Sequence, residues 1–163
     1  MSFKKLFLLM GLAIFFISFV NGQDAKYVGA VKCKMCHNKA EKGEQYNKWL
    51  AGPHAKAMAA LKGDEAKNPK CLKCHSTAAS VDQGLVATIT VEEGVSCESC
   101  HGPGSVYKVA TTMKDMKLAM SKGLVMPDEK VCKKCHNEGS PNYKGFNFKE
   151  YAAKIAHNDP TKK

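Results

Sequence analysis

The sequence predicts a mainly α protein of short helices and loops with little sheet, and three observations carry that prediction. All eight cysteines of the 163 residues fall into four copies of one pattern. Gly and Pro cut the helical-looking stretches short, at Gly52-Pro53, Gly102-Pro103-Gly104, Gly123 to Pro127 and Gly139-Ser140-Pro141. Only Val81 to Val95 alternates β-branched and polar residues in the manner of a strand.

The four copies are Cys33-Lys-Met-Cys36-His37, Cys71-Leu-Lys-Cys74-His75, Cys97-Glu-Ser-Cys100-His101 and Cys132-Lys-Lys-Cys135-His136, with no cysteine left over. C-x-x-C-H is the attachment signature of c-type haem. Its two thiols add across the haem vinyl groups, and the adjacent histidine turns back to ligate iron. Four covalently bound haem c groups are therefore expected, held by Cys33, Cys36, Cys71, Cys74, Cys97, Cys100, Cys132 and Cys135. At about 35 residues per haem the polypeptide builds only a modest apolar core of its own. The fold class follows: a small multihaem cytochrome whose short helices and loops wrap around four stacked haems.

The elements follow in sequence order. Met1 to Lys5 is a short basic head and Leu6 to Val20 an apolar run, short for the ~20 residues of a spanning helix. Residues 1–22 are read as a secretory signal peptide cleaved near Gly22, leaving 23–163 as the tetrahaem domain, periplasmic or secreted. The alternative is an uncleaved anchor. No cysteine closely follows the run, which argues against a lipid anchor, and paired cysteines suit an oxidising compartment. Ala40 to Lys62 looks helical, broken at Gly52-Pro53 just before His54. Gly63 to Pro69 reads as a polar linker, and Val81 to Val95 as a short hairpin or extended arm. Ser105 to Lys122 resumes a helical pattern, and Phe148 to His157 reads as a terminal helix.

The formal charge of +10 comes wholly from lysine, for arginine is absent from the sequence; losing Lys4 and Lys5 with the leader leaves +8. Eight haem propionates would offset most of that. Nucleic acid is a poor partner for such a protein, and no stable membrane anchor is expected. The lysines suit a solvated surface, pairing with propionates, or steering of an acidic redox partner.

His37, His75, His101 and His136 are the proximal iron ligands by position in their motifs. Only His54 and His157 remain. Each sits beside apolar residues, and both are expected as sixth ligands. The other two haems must take methionine, lysine, a neighbouring molecule's histidine, or nothing. Met58, Met113, Met116, Met120 and Met126 are available, although methionine also fills irregular space around flat cofactors.

Tyr27-Val-Gly-Ala-x-x-Cys33, Trp49, Pro53-His54-Ala-Lys-Ala-Met58 and Gly94-Val-Ser-Cys97-Glu-Ser-Cys100-His101-Gly-Pro-Gly104 resemble the cytochrome c-554 family of tetrahaem electron carriers. The resemblance covers Tyr27 to about His157. It implies a mainly helical protein with stacked haem pairs, three bis-histidine haems and one five-coordinate haem on the second motif. Carried over by position, it sets His54 opposite His136 and His157 opposite His101, and leaves the haem of His75 open. The family's histidine just beyond the Gly-Pro-Gly turn is missing here, and Met113 stands about there as the substitute opposite His37.

Electron transfer between redox partners is the leading expectation, with an oxidoreductase as donor and a cytochrome or quinone-linked protein as acceptor. No residue is then needed as acid or base. Binding or reduction of a small nitrogen oxide at an open haem is the alternative from the enzyme class, though no histidine, arginine and tyrosine cluster marks a distal pocket. A subunit of an extended haem filament is another alternative, and four zinc-binding knuckles the blandest. Intact mass of the exported protein checks the leader and the cofactor count together: a polypeptide starting at Gln23 plus four haem masses is expected.

Overall fold

The computed structural model describes residues 24–161, so the leader and cleavage position expected within 1–22 lie outside the described residues. Among those described, nine short helices follow one another: α1 (Val31–His37), α2 (Gln45–Ala51), α3 (Pro69–His75), α4 (Thr77–Ser80), α5 (Cys97–His101), α6 (Ala110–Met113), α7 (Met116–Ser121), α8 (Glu129–Lys133) and α9 (Phe148–Ile155). Five of them start at a polar cap whose side-chain oxygen accepts an otherwise orphaned N–H. These caps are Asn68, Ser76, Asp115, Asp128 and Asn147. At α3, Pro69 follows the cap at the first helical position, where its missing N–H costs nothing.

The helical pattern of Ala40 to Lys62 is realised in pieces. A 3₁₀ turn at Ala40–Lys42 precedes α2, which stops at Gly52, and a second 3₁₀ turn spans Ala57–Ala60. Ser105 to Lys122 is likewise split, because Asp115 leaves the helical region to cap α7. The polar linker at Gly63 to Pro69 contains a 3₁₀ turn, Gly63–Lys67.

The hairpin or arm expected at Val81 to Val95 does not form. Asp82 leads into a 3₁₀ turn at Gln83–Leu85, and a second turn occupies Val91–Glu93. Alternation here serves a different pairing. Tyr27 bridges Val86 in parallel, donating its N–H to Leu85 O at 2.8 Å and accepting from Ala87 N at 3.0 Å. Among the described residues no regular strand is present, and no helix is long and apolar enough to cross a membrane.

Apolar burial is sparse. Ala30, Tyr46, Ala78, Ile89, Tyr107, Ala119 and Leu124 are the buried hydrophobic residues among those described, and the largest fully buried side chains are polar: Glu98, Thr77, Ser76 and Ser96. Tyr107, Ala119 and Leu124 form one cluster, with Met113 packed against it. Hydrogen bonds organise the rest. The segment Gly94–Ser96 acts as a spine: Thr77 N donates to Gly94 O at 2.9 Å, Val95 N to His54 O at 3.0 Å, and Trp49 Nε1 to Val95 O at 2.8 Å. Ser96 N donates to Thr77 Oγ1 at 2.8 Å.

Gly94 is where the spine meets the His54 loop. Its φ is +70°, and a Cβ there would stand 2.8 Å from His54 O and 3.1 Å from Ala55 O, both backbone atoms. Gly94→Ala is expected to destabilise the haem-loaded protein by about 2 kcal/mol, from left-handed strain and the backbone clash. Thermal denaturation checks this: a drop of about 5 °C is expected, and an unchanged midpoint would exclude the role given to Gly94.

Candidate haem-binding sites

In α1, α3 and α5 the C-x-x-C-H run is itself the helix, so both cysteines and the histidine fall on one face. In the fourth motif only Cys132 lies within α8. Cys135 and His136 continue in the next turn, with His136 N donating to Cys132 O at 3.0 Å. None of the eight cysteines forms a disulfide.

The two histidines outside the motifs each face a motif histidine. The rings of His54 and His136 have centroids 6.2 Å apart at an interplanar angle of 65°, and those of His101 and His157 are 6.1 Å apart at 78°. A metal–imidazole bond of about 2.0–2.1 Å, with the ring centre about 1.1 Å beyond the nitrogen, sets two rings on opposite sides of one metal about 6.3 Å apart. Both pairs have the separation that a shared iron requires.

Hydrogen bonds aim these rings. Nδ1 of His101 lies 3.0 Å from Val125 O, Nδ1 of His157 lies 2.8 Å from Ile155 O, and Nδ1 of His75 lies 2.7 Å from Ala57 O. A carbonyl can only accept, so Nδ1 carries the proton in each case and Nε2 keeps its lone pair for a metal. Burial pushes His54, His101 and His136 below the ordinary imidazole value, with the facing His136 adding to it at His54. The neutral form, the one that ligates, is favoured.

The segment that follows the fourth motif positions both pairs. Phe146 stacks on His136 at 5.0 Å, and Tyr151 of α9 lies 5.8 Å from the same ring, while α9 ends just before His157. His54 is delivered by the loop pinned to Gly94–Val95. His37 lies near enough to His101 to contribute to that ring's lowered basicity. Met113, expected opposite His37, has its side chain against the Tyr107, Ala119 and Leu124 cluster.

Two carboxylates that the sequence pattern did not single out hold the N-terminal segment onto the third motif. Glu98, inside the motif, is 1% exposed, and its carboxylate accepts from Val28 N at 3.0 Å, Gly29 N at 2.7 Å and Gly104 N at 2.6 Å. Glu93 accepts from Ala30 N at 2.8 Å and from the Ser96 hydroxyl at 3.1 Å. These contacts bring the first motif beside the third, where the Cys33 and Cys97 thiols lie close enough to perturb one another. Cys74 and Cys135 are neighbours in the same way, and Cys100 lies close to Cys132 and Cys135. A glutamate between paired cysteines, followed by Gly-Pro-Gly, was the available signal.

A model of the family described as cytochrome c554 and c-prime matches residues 32–102, which hold the first three motifs and His54. Over these residues the chain is similar to the cytochrome c-554 family. Cytochrome c-554 of Nitrosomonas europaea (strain ATCC 19718) is 31% identical over 157 aligned residues, covering 72% of this chain and 61% of that relative. The chain thus matches less than two thirds of that relative's length. No solved structure matches the chain. A c-type cytochrome binds haem c covalently, and the residues here fit it: thiols and histidine on one helical face, and facing imidazoles at metal-bridging distance. Among the described residues no group of three or more His, Cys, Asp or Glu converges on a bare metal ion, whereas iron in a porphyrin needs only two protein ligands.

Glu98→Ala would leave backbone N–H groups from two segments buried without an acceptor, and is expected to cost about 3–5 kcal/mol. Glu98→Gln, which keeps one acceptor oxygen, is expected to lose less. Denaturant unfolding of the two haem-loaded variants checks the order; equal losses would show that the negative charge alone matters.

Proposed function

We propose that this protein is a periplasmic or secreted tetrahaem c-type cytochrome that passes electrons between redox proteins, with residues 1–22 as its leader and 23–163 as its haem domain. The observation that carries this reading is the two pairs of facing histidines, with ring centroids 6.2 Å and 6.1 Å apart, and with Nδ1 of both His101 and His157 engaged by carbonyls. Two imidazoles per iron saturate the metal, which suits one-electron exchange rather than substrate binding.

Each residue then has a task. Cys33, Cys36, Cys71, Cys74, Cys97, Cys100, Cys132 and Cys135 fix four haems by thioether bonds. His37, His75, His101 and His136 are the proximal ligands, with His54 crossing to the iron of His136 and His157 to that of His101. Met113 is assigned to the iron of His37, by its place beyond the Gly-Pro-Gly turn, and the iron of His75 is left without a sixth ligand. When bound, haem supplies the ferric–ferrous couple. The polypeptide sets spacing, ligand orientation and exclusion of water.

The thiol contacts imply a path. Cys33 lies against Cys97, Cys100 against Cys132 and Cys135, and Cys135 against Cys74. The attachment points therefore run first, third, fourth, second, and the first and second motifs are its ends. The partners at those ends are a donor oxidoreductase and an acceptor cytochrome or quinone-linked protein.

Carbon monoxide titration of the dithionite-reduced protein tests the ligand set. About one quarter of the haem absorbance is expected to shift, and His54→Ala or His157→Ala is expected to raise that to about one half. Should either variant bind no more carbon monoxide than the parent, that histidine is not an iron ligand. A shift of all four haems in the parent would sink the bis-histidine assignment altogether.

A further inference from the structure

In α1, Cys33, Cys36 and His37 share one face, and Val31 and Met35, one turn apart, share the opposite face. Val31 is 61% and Met35 80% exposed, the two highest values among the exposed large hydrophobic residues. A haem attached through Cys33 and Cys36 lies on the other side of the helix and cannot cover them. In the second, third and fourth motifs the place of Met35 is taken by Lys73, Ser99 and Lys134. The apolar choice belongs to the first motif alone.

Lysines neighbour this pair along the chain. Lys32, Lys34 and Lys39 are all exposed, and Lys34 extends over the Tyr46 ring, its Nζ 5.4 Å from the ring centre. Cys36 is the one exposed cysteine of the eight, so the attachment edge of the first motif lies closest to solvent. That motif is also one end of the path of thiol contacts. An apolar centre with a charged rim is the anatomy of a transient protein interface, and its sign selects the partner.

We propose that this face of α1 docks an acidic redox protein, whose carboxylates meet Lys32, Lys34 and Lys39 around an apolar contact at Val31 and Met35. The first motif is then a port for electrons. The proposal rests on the electron-transfer reading above and names the surface and the charge of the partner that reading requires. Complementary charge steers encounter, raising association rates by about 10–10³-fold and doing so less as salt rises.

Stopped-flow reduction of the haem-loaded full-length protein by a reduced, acidic plant-type [2Fe–2S] ferredoxin tests it, with dithionite as a control reductant that needs no docking surface. At low ionic strength the variants Lys32→Glu/Lys34→Glu and Met35→Glu are each expected to slow reduction by ferredoxin about tenfold or more, with the dithionite rate unchanged. Lys149→Glu/Lys154→Glu, on α9, is expected to keep most of the parent rate. If the α1 variants react at the parent rate, or if the α9 variant falls equally, the docking surface is wrong while electron transfer stands. If ferredoxin reduces no haem in the parent although dithionite does, the carrier reading fails and this proposal with it. Sedimentation of the parent and of Met35→Glu covers the remaining occupant: a dimer dissolved by the substitution would assign this face to a second copy and overturn the proposal.

Discussion

A carboxylate that is 1% exposed normally demands a cation, yet Glu98 meets backbone N–H groups from Val28, Gly29 and Gly104 instead. Several amide dipoles converging on one charge can replace its hydration, and they do so only if the segments carrying them stay where they are. The extended N-terminal segment is therefore fastened to the third motif by a contact with no apolar component. Glu93 repeats the device one residue further along, at Ala30 N. Much else follows from this fastening. Tyr27 reaches Val86, the first motif is carried to the third, and Cys33 meets Cys97.

Such fastening matters because the polypeptide has little else to fold around. Among the described residues the largest fully buried side chains are glutamate, threonine and serine, and the cluster of buried hydrophobic residues around Tyr107 is small. A protein of this length usually draws its stability from apolar burial. Here the helices are short, five of the nine are started by single polar caps, and three of the nine carry the motif cysteines and histidines on one face. On the reading proposed above, flat, hydrophobic macrocycles would complete the interior that this sparse core leaves.

Much of this was legible in the sequence, for reasons that differ from residue to residue. That the cysteines and histidine of a C-x-x-C-H run share one helical face could be read directly from their spacing. The breaks at Gly52-Pro53 and the helix near Phe148 followed from local propensity. The facing of His54 with His136 and of His157 with His101 came only through family resemblance, because no local rule links residues so far apart. Val81 to Val95 misled, since its alternation matched a strand while Asp82 and Gly94 supplied turns. The partners of Glu93 and Glu98 could not be read, since they are backbone amides, which every sequence possesses; only the place of Glu98 between paired cysteines marked it. Met113 was singled out as a ligand, and its packing against Tyr107 and Leu124 is a role that any apolar residue of its size could fill.

The ring pairs carry a consequence for how the protein is made. His54 and His136 stand 82 positions apart, and His101 and His157 stand 56 apart, with the later member of each pair in the last third of the sequence. Neither pair can form until the polypeptide has been made as far as its later member, His136 or His157. Closing such long loops is slow and entropically costly, so the partly loaded polypeptide remains open. On the reading proposed above, haem attachment would precede this closure, with every C-x-x-C-H run still open, and the segment that ends at His157 would be the last to close the molecule.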